Sequence, residues 1–313
     1  MNPQREPIRS KIKGPALLAL LAVLMSLPAC KPTKTAAPGA LAPVSNQASQ
    51  ASIEVDRASH WRLCNGSISG AHAVDVDQKI SSCTWIIQSG KETPRGLANA
   101  YTSRGMAYER GHVPMELEDL HQAIKIDPTC TRAWAQLCGV QNWITGETQL
   151  AVQSCSKAIE LDPLAPEGWT FRGDIYLKRK EFDLAIADYD HAIKLGPTWM
   201  WPLDNRGEAY LRKNEIDRAI EDFDAVIRVS PDYSMGFLDR GIAELRKNDF
   251  DAALADFQTG IRVNPHCASC LLGQGLVKRA KGEIAGGDAD IAKAKAMTPR
   301  AVDGFAEDGI TLP

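Results

Sequence analysis

The sequence predicts an all-α fold, a solenoid of stacked helical hairpins. Three observations carry that expectation. Pro163, Pro197, Pro231, Pro265 and Pro299 recur every 34 residues. Gly173, Gly207, Gly241 and Gly275 keep the same interval, and so do the bulky residues Trp169, Leu203, Phe237 and Leu271. Between these markers the apolar residues fall at i, i+4 and i+7, the spacing of one helix face. A fixed period of this length marks an array in which each unit packs on its neighbours.

The first element precedes the array. "MNPQREPIRSKIKG" carries Arg5, Arg9, Lys11 and Lys13, and the apolar run "PALLALLAVLM" follows. This order is that of an export signal, over residues 1–29. The run is shorter than the ~20 residues needed to span a bilayer. "LPAC", ending at Cys30, resembles a bacterial lipobox. That resemblance implies cleavage before Cys30, lipid on its sulfur, and a membrane lipoprotein facing the periplasm, at the outer rather than the inner membrane. An ordinary secretory signal with a chance cysteine is the other reading.

Residues 30–56 follow as a linker. The stretch from Lys31 to Ser52 is rich in Ala, Pro, Ser and Thr and has no aromatic residue. Such a composition cannot bury enough surface to order itself. A flexible run of about 25 residues reaches on the order of 25–30 Å. Residues 57–97 read as a degenerate hairpin, with Cys64 and Cys83 as a candidate bridge.

Six units are expected over 98–301: about 98–130, 131–165, 166–199, 200–233, 234–267 and 268–301. In the third, Trp169, Gly173 and Tyr176 share a face of a first helix. Ala185, Tyr189 and Ala192 share a face of a second, and Pro197 stops it. Small residues at Gly173, Ala185 and Ala192 let the helices approach. Asn214 and Asn248 suit a left-handed residue at a helix end. Asp183, Asp217 and Asp251 fall in the first turn of the second helix, where negative charge meets the dipole favourably. This order of large, Gly, Tyr, Ala, aromatic, Ala and Pro resembles the tetratricopeptide repeat. The resemblance implies a right-handed superhelix with a concave face lined by first helices. The first unit is one residue short and the second one residue long, with Cys138 where glycine is expected. Residues 302–313 are expected to cap the array.

Arg104, Arg172, Arg206 and Arg240 precede the glycine position, and Asp119, Asp188, Asp222 and Asp256 share one place in the second helix. Where Leu137 replaces the arginine, Ser154 replaces the aspartate. The two charges vanish together, as a structural ion pair would. An arginine row that binds anions is the alternative reading.

Of eight cysteines, Cys138 and Cys155 flank the turn at Gly146 symmetrically, so a bridge is expected between them. Cys267 and Cys270 form a lone CxxC beside His266. A redox or metal site, a local disulfide and inert thiols all remain open for it. Cys130 is left without an assigned partner. A disulfide-bonded set fits an exported chain.

No phosphate-binding loop, HExxH or GxSxG is present, and no histidine has another four residues on. No metal, cofactor or catalytic residue is expected, and the chain reads as a non-enzyme. A net charge of −3 gives no basic excess for nucleic acid.

The letters that fail to repeat on the first helices are the candidate binding residues. One unit gives Trp201, Asp204, Asn205, Glu208 and Arg212. The next gives Met235, Leu238, Asp239, Ile242 and Arg246, and the last Leu272, Leu276 and Arg279. Trp201, Met235, Leu238, Ile242, Leu272 and Leu276 could form an apolar stripe for a bound peptide or helix, or could pack between units. The family's carboxylate-clamping mode is not matched, because Asp174 would repel a carboxylate. The reading is a scaffold in the bacterial envelope that holds a protein segment. Its alternatives are a self-associating, pilotin-like assembly factor and, behind that, a CxxC thiol enzyme.

Overall fold

The computed structural model describes residues 47–66, 74–108 and 112–298. The expected signal, the lipidation site Cys30 and the cap at 302–313 lie outside the described residues. The chain divides between Phe171 and Arg172 into two compact units. The described elements are helical throughout, and the all-α hairpin architecture is as the repeat implies.

In the first unit, α1 (Gln47–Cys64) packs on α2 (Val76–Ser89), and Cys64 is disulfide-bonded to Cys83. Glu92 receives Arg57 through two nitrogens at 2.7 and 3.0 Å, and Trp61 Nε1 at 3.1 Å. The expected linker is therefore too long. Helix α1 starts at Gln47, inside it, because no proline follows Pro43 there and Ala and Gln favour helix. Helix α3 (Pro94–Ala107) opens with Pro94 in its first turn and with the Thr93 hydroxyl accepting from the Gly96 amide. It packs on α4 (Val113–Ile126).

Helix α5 (Thr131–Val140) continues into a π-helical turn, Gln141–Thr145, before Gly146 at φ 74° and α6 (Thr148–Leu161). The one extra residue of this unit is taken up there, since a π turn inserts a residue without breaking the helix. Cys138 and Cys155 are bonded across the hairpin with Cα atoms 5.2 Å apart. Cys130, left unassigned by the sequence, is fully buried and is not a free thiol.

The second unit begins within α7 (Pro166–Lys178). It continues through α8 (Phe182–Leu195), α9 (Met200–Arg212), α10 (Ile216–Val229), α11 (Ser234–Arg246), α12 (Phe250–Val263), α13 (Ala268–Ala280) and α14 (Ile284–Met297). The turns within hairpins place Lys180, Asn214, Asn248 and Gly282 at φ between 63° and 89°. The asparagines were legible as left-handed residues, whereas the lysine was not. At Gly207 an added Cβ would lie 2.6 Å from the Phe223 ring, so only glycine allows this approach. Cys267 and Cys270 are disulfide-bonded at the start of α13.

Each arginine–aspartate pair is a two-pronged fork. The paired distances are 2.8 and 2.8 Å for Arg104–Asp119 and for Arg172–Asp188. They are 2.8 and 2.6 Å for Arg206–Asp222 and for Arg240–Asp256. A third nitrogen reaches the preceding hairpin, from Arg206 to Asp190 at 2.5 Å and from Arg240 to Asp224 at 2.6 Å. The arginine row is structural. Burial works against the Arg206 charge, but Asp222 and Asp190 outweigh it and hold the guanidinium above its ordinary range. In the unit that lacks the pair the Ser154 hydroxyl donates to Gln141 Oε1 at 2.7 Å, and in the last unit Gln274 donates to Asp290 at 2.8 Å. A second ladder joins successive hairpins through Lys213–Asp183 (2.7 Å), Lys247–Asp217 (2.9 Å) and Lys281–Asp251.

Candidate functional site

The unrepeated residues divide by burial. Trp201, Met235, Leu238, Ile242, Leu272 and Leu276 are all buried, Leu238 and Leu272 completely. The last five belong to one core cluster with Tyr210, Phe223 and Phe257. Of the two readings of the apolar stripe, this burial favours packing between units. First helices of successive hairpins touch, α9 with α11 and α11 with α13, and these side chains sit where the hairpins meet.

The polar candidates are half-buried. Two are occupied locally. Arg246 donates to the Leu211 carbonyl at 2.7 Å and to Asn214 at 2.8 Å, and Arg279 pairs with Asp288 at 2.6 Å. The others gather on α9 and α11. Asp204, Asn205, Glu208 and Arg212 follow one face of α9 at helical spacing. Arg212 pairs with Glu208 at 3.2 Å, and Asp239 stands on α11.

Asp174 of α7 joins this group. The sequence used it only as an argument against a carboxylate ligand. It is 2% exposed. Its Oδ1 accepts from the Tyr189 hydroxyl at 2.8 Å and from Asn205 Nδ2 at 2.7 Å. Its Oδ2 is buried with no hydrogen-bond partner among the described residues. Burial pushes the carboxyl up to about 7, against the two hydrogen bonds, and the charge of Glu208 pushes the same way. The cost of burying an unpaired carboxylate is what keeps the proton on. Across the strip, Tyr233 Oη lies 3.5 Å from Asp204 Oδ2, and the Tyr233 ring meets Trp201 edge-on at 5.8 Å. Burial, then Asp204 and Asp239, hold the Tyr233 phenol above its usual range.

A recess of about 330 Å³ lies elsewhere, lined by Asp190, Lys194, Arg206, Arg218, Glu221 and Asp222 among others. Both its arginines are paired: Arg206 holds Asp190 and Asp222, and Arg218 holds Glu215. No group of three His, Cys, Asp or Glu side chains among the described residues could hold a metal. No helix among them is long and apolar enough to cross a membrane.

Tetratricopeptide-repeat family models match residues 166–199, 203–233 and 238–287. A comparison with curated proteins gave no match. Among solved structures, Pseudomonas aeruginosa pilF is similar at a TM-score of 0.60 and 19% identity, over 69% of this chain and 100% of that one. PilW, a widely conserved type IV pilus biogenesis factor, is similar at 0.59 and 19%, over 65% and 94%. The APC/C hetero-tetramer Cut9–Hcn1 gives 0.59 and 15%, over 74% of this chain and 52% of that one. At these identities the likeness is one of fold. With the 34-residue markers, the hairpins and the matched repeats in agreement, the chain is a tetratricopeptide-repeat protein.

Proposed function

We propose that the chain is a non-catalytic scaffold that captures a segment of another protein on the first-helix face of α7, α9 and α11. One observation carries this reading. The repeated first-helix arginines are committed to two-pronged ion pairs, while first-helix polar side chains that do not repeat stay partly exposed. Asp204, Asn205, Glu208, Arg212 and Asp239 are such residues. Repeat scaffolds bind through faces of this kind.

The N-terminal segment supports an envelope location. Its positive, apolar and LPAC order suits export, with lipid on Cys30 as the anchor and the following segment as a tether. Tethering raises the local concentration of whatever is captured.

The test is chemical crosslinking in cells, comparing the native chain with D204A/E208A/D239A. The expected result is a crosslinked heterologous adduct that the variant loses at unchanged abundance and unchanged helical circular dichroism. An adduct that persists in the variant removes this face from the account. A purely homomeric adduct would replace capture by self-association.

A further inference from the structure

The bridges among the described residues differ in what they tie together. Cys64–Cys83 and Cys138–Cys155 each join the two helices of a hairpin, across 19 and 17 residues. Cys267–Cys270 joins residues only 3 apart at the start of α13, so it staples no two elements. A loop this short also removes the least freedom from the unfolded chain. The repeat does not ask for the pair either, since Tyr233 and Gly236 hold the same places one unit earlier. The neighbouring helix makes room for it. In the earlier unit Val226 faces Gly236, whereas here Gly260 faces Cys270, and a Cβ at Gly260 would lie 2.7 Å from the Cys270 sulfur.

Exposure and polarity set this bridge apart as well. Cys64, Cys83, Cys138, Cys155 and Cys270 are completely buried, whereas Cys267 is 7% exposed. Pro265 and His266, just before it, are exposed, so the bridge meets solvent at its Cys267 end. Cys267 is the N-cap of α13, a helix of 13 residues, and its Sγ accepts the Cys270 amide at 3.2 Å. The positive end of a helix favours negative charge on such a sulfur once the bond opens. A stabilised reduced form makes a disulfide easier to reduce.

We propose that Cys267–Cys270 is a redox-exchangeable site, opened by a dithiol reductant while the two hairpin bridges stay closed. A thiolate of the reductant attacks Cys267 Sγ and forms a mixed disulfide. The Cys267–Cys270 bond breaks, and Cys270 leaves as a thiolate that takes up a proton. The reductant's second thiol gives up its proton and attacks the reductant's own sulfur in the mixed disulfide. Cys267 then leaves as the thiolate held at the helix N-terminus. The bridge gains two electrons, and the reductant is oxidised to its disulfide. Attack falls on Cys267 because Cys270 is completely buried. This site is independent of the docking reading above.

The test equilibrates the full oxidised chain, without denaturant, against graded ratios of reduced to oxidised dithiothreitol. Free thiols are trapped with N-ethylmaleimide and located by mass spectrometry of the peptides. Cys267 and Cys270 should be half-labelled at a ratio about tenfold or more below that needed for Cys138 and Cys155, with the helical circular dichroism unchanged. Opening of all the bridges at one ratio, or opening of Cys267–Cys270 only together with loss of the helical signal, would overturn the proposal. A second arm tests which sulfur exchanges. With glutathione disulfide, Cys270→Ser should form a mixed disulfide at Cys267 about tenfold or more faster than Cys267→Ser forms one at Cys270. Equal rates in the two variants would contradict attack at Cys267.

Discussion

Asp174 shows how one residue links stability to the candidate site. An unfolded aspartate titrates near ~3.9, whereas folded Asp174 titrates at about 7. Between these values the unfolded chain has lost the proton that the folded chain keeps, so stability falls as the pH rises through this window. The shift is worth on the order of 4 kcal/mol, present in full below about pH 4 and lost above about pH 7. Buried Glu116, pushed up to about 7 by desolvation, slopes the same way in the first unit. Urea unfolding at pH 5 and pH 8 should therefore show a slope that D174N reduces, and an unchanged slope would place the titration elsewhere. Lys180 is a simpler case. It holds a left-handed conformation at φ 63° that costs a non-glycine residue about 1 kcal/mol. Lys180→Gly should raise stability by ~0.5–1 kcal/mol in thermal unfolding, and a loss would show that its side chain matters more than its backbone. Neither residue was legible as special. Asp174 looks like any acidic helix residue until Tyr189 and Asn205 are seen to converge on it, and a lysine carries no signal for positive φ.

At the scale of elements, the repeat itself was legible because packing fixes its letters. Gly207 is glycine because Phe223 leaves no room for a Cβ, so Gly207→Ala should cost ~1–3 kcal/mol through overpacking. The arginine–aspartate fork was legible as a pair because both letters vanish at Leu137 and Ser154. Its third bond, to the preceding hairpin, was not, because Asp190 and Asp224 look like surface charges in the sequence. Arg206 is about one-fifth exposed and Asp222 less. Asp222→Ala should then cost about 2 kcal/mol, between the values for exposed and fully buried pairs. A change below about 0.5 kcal/mol would show that Asp190 alone holds Arg206. The bridge between Cys138 and Cys155 was visible from symmetry about Gly146. The π turn that makes room for the extra residue was not, since length alone does not say where a helix absorbs an insertion. The apolar stripe stayed open between docking and packing for a related reason. Sequence spacing places Leu238 and Leu272 on a first helix but does not say that neighbouring first helices close over them.

For the whole molecule, the net charge of −3 hides an uneven distribution. The two ion-pair ladders neutralise much of the charge on the second helices and turns, while α9 and α11 present the unrepeated polar side chains of both signs. The central claim is that this first-helix face holds a segment of another protein. The most direct measurement is site-specific photocrosslinking in cells, with the photoreactive residue placed at Glu208 or, as the comparison, at exposed Asp232, followed by mass-spectrometric reading of the attached segment. The expected result is a heterologous adduct from position 208, absent from position 232, whose attached peptides map to one segment of the partner. Equal labelling from both positions, or a purely homomeric adduct, would contradict it.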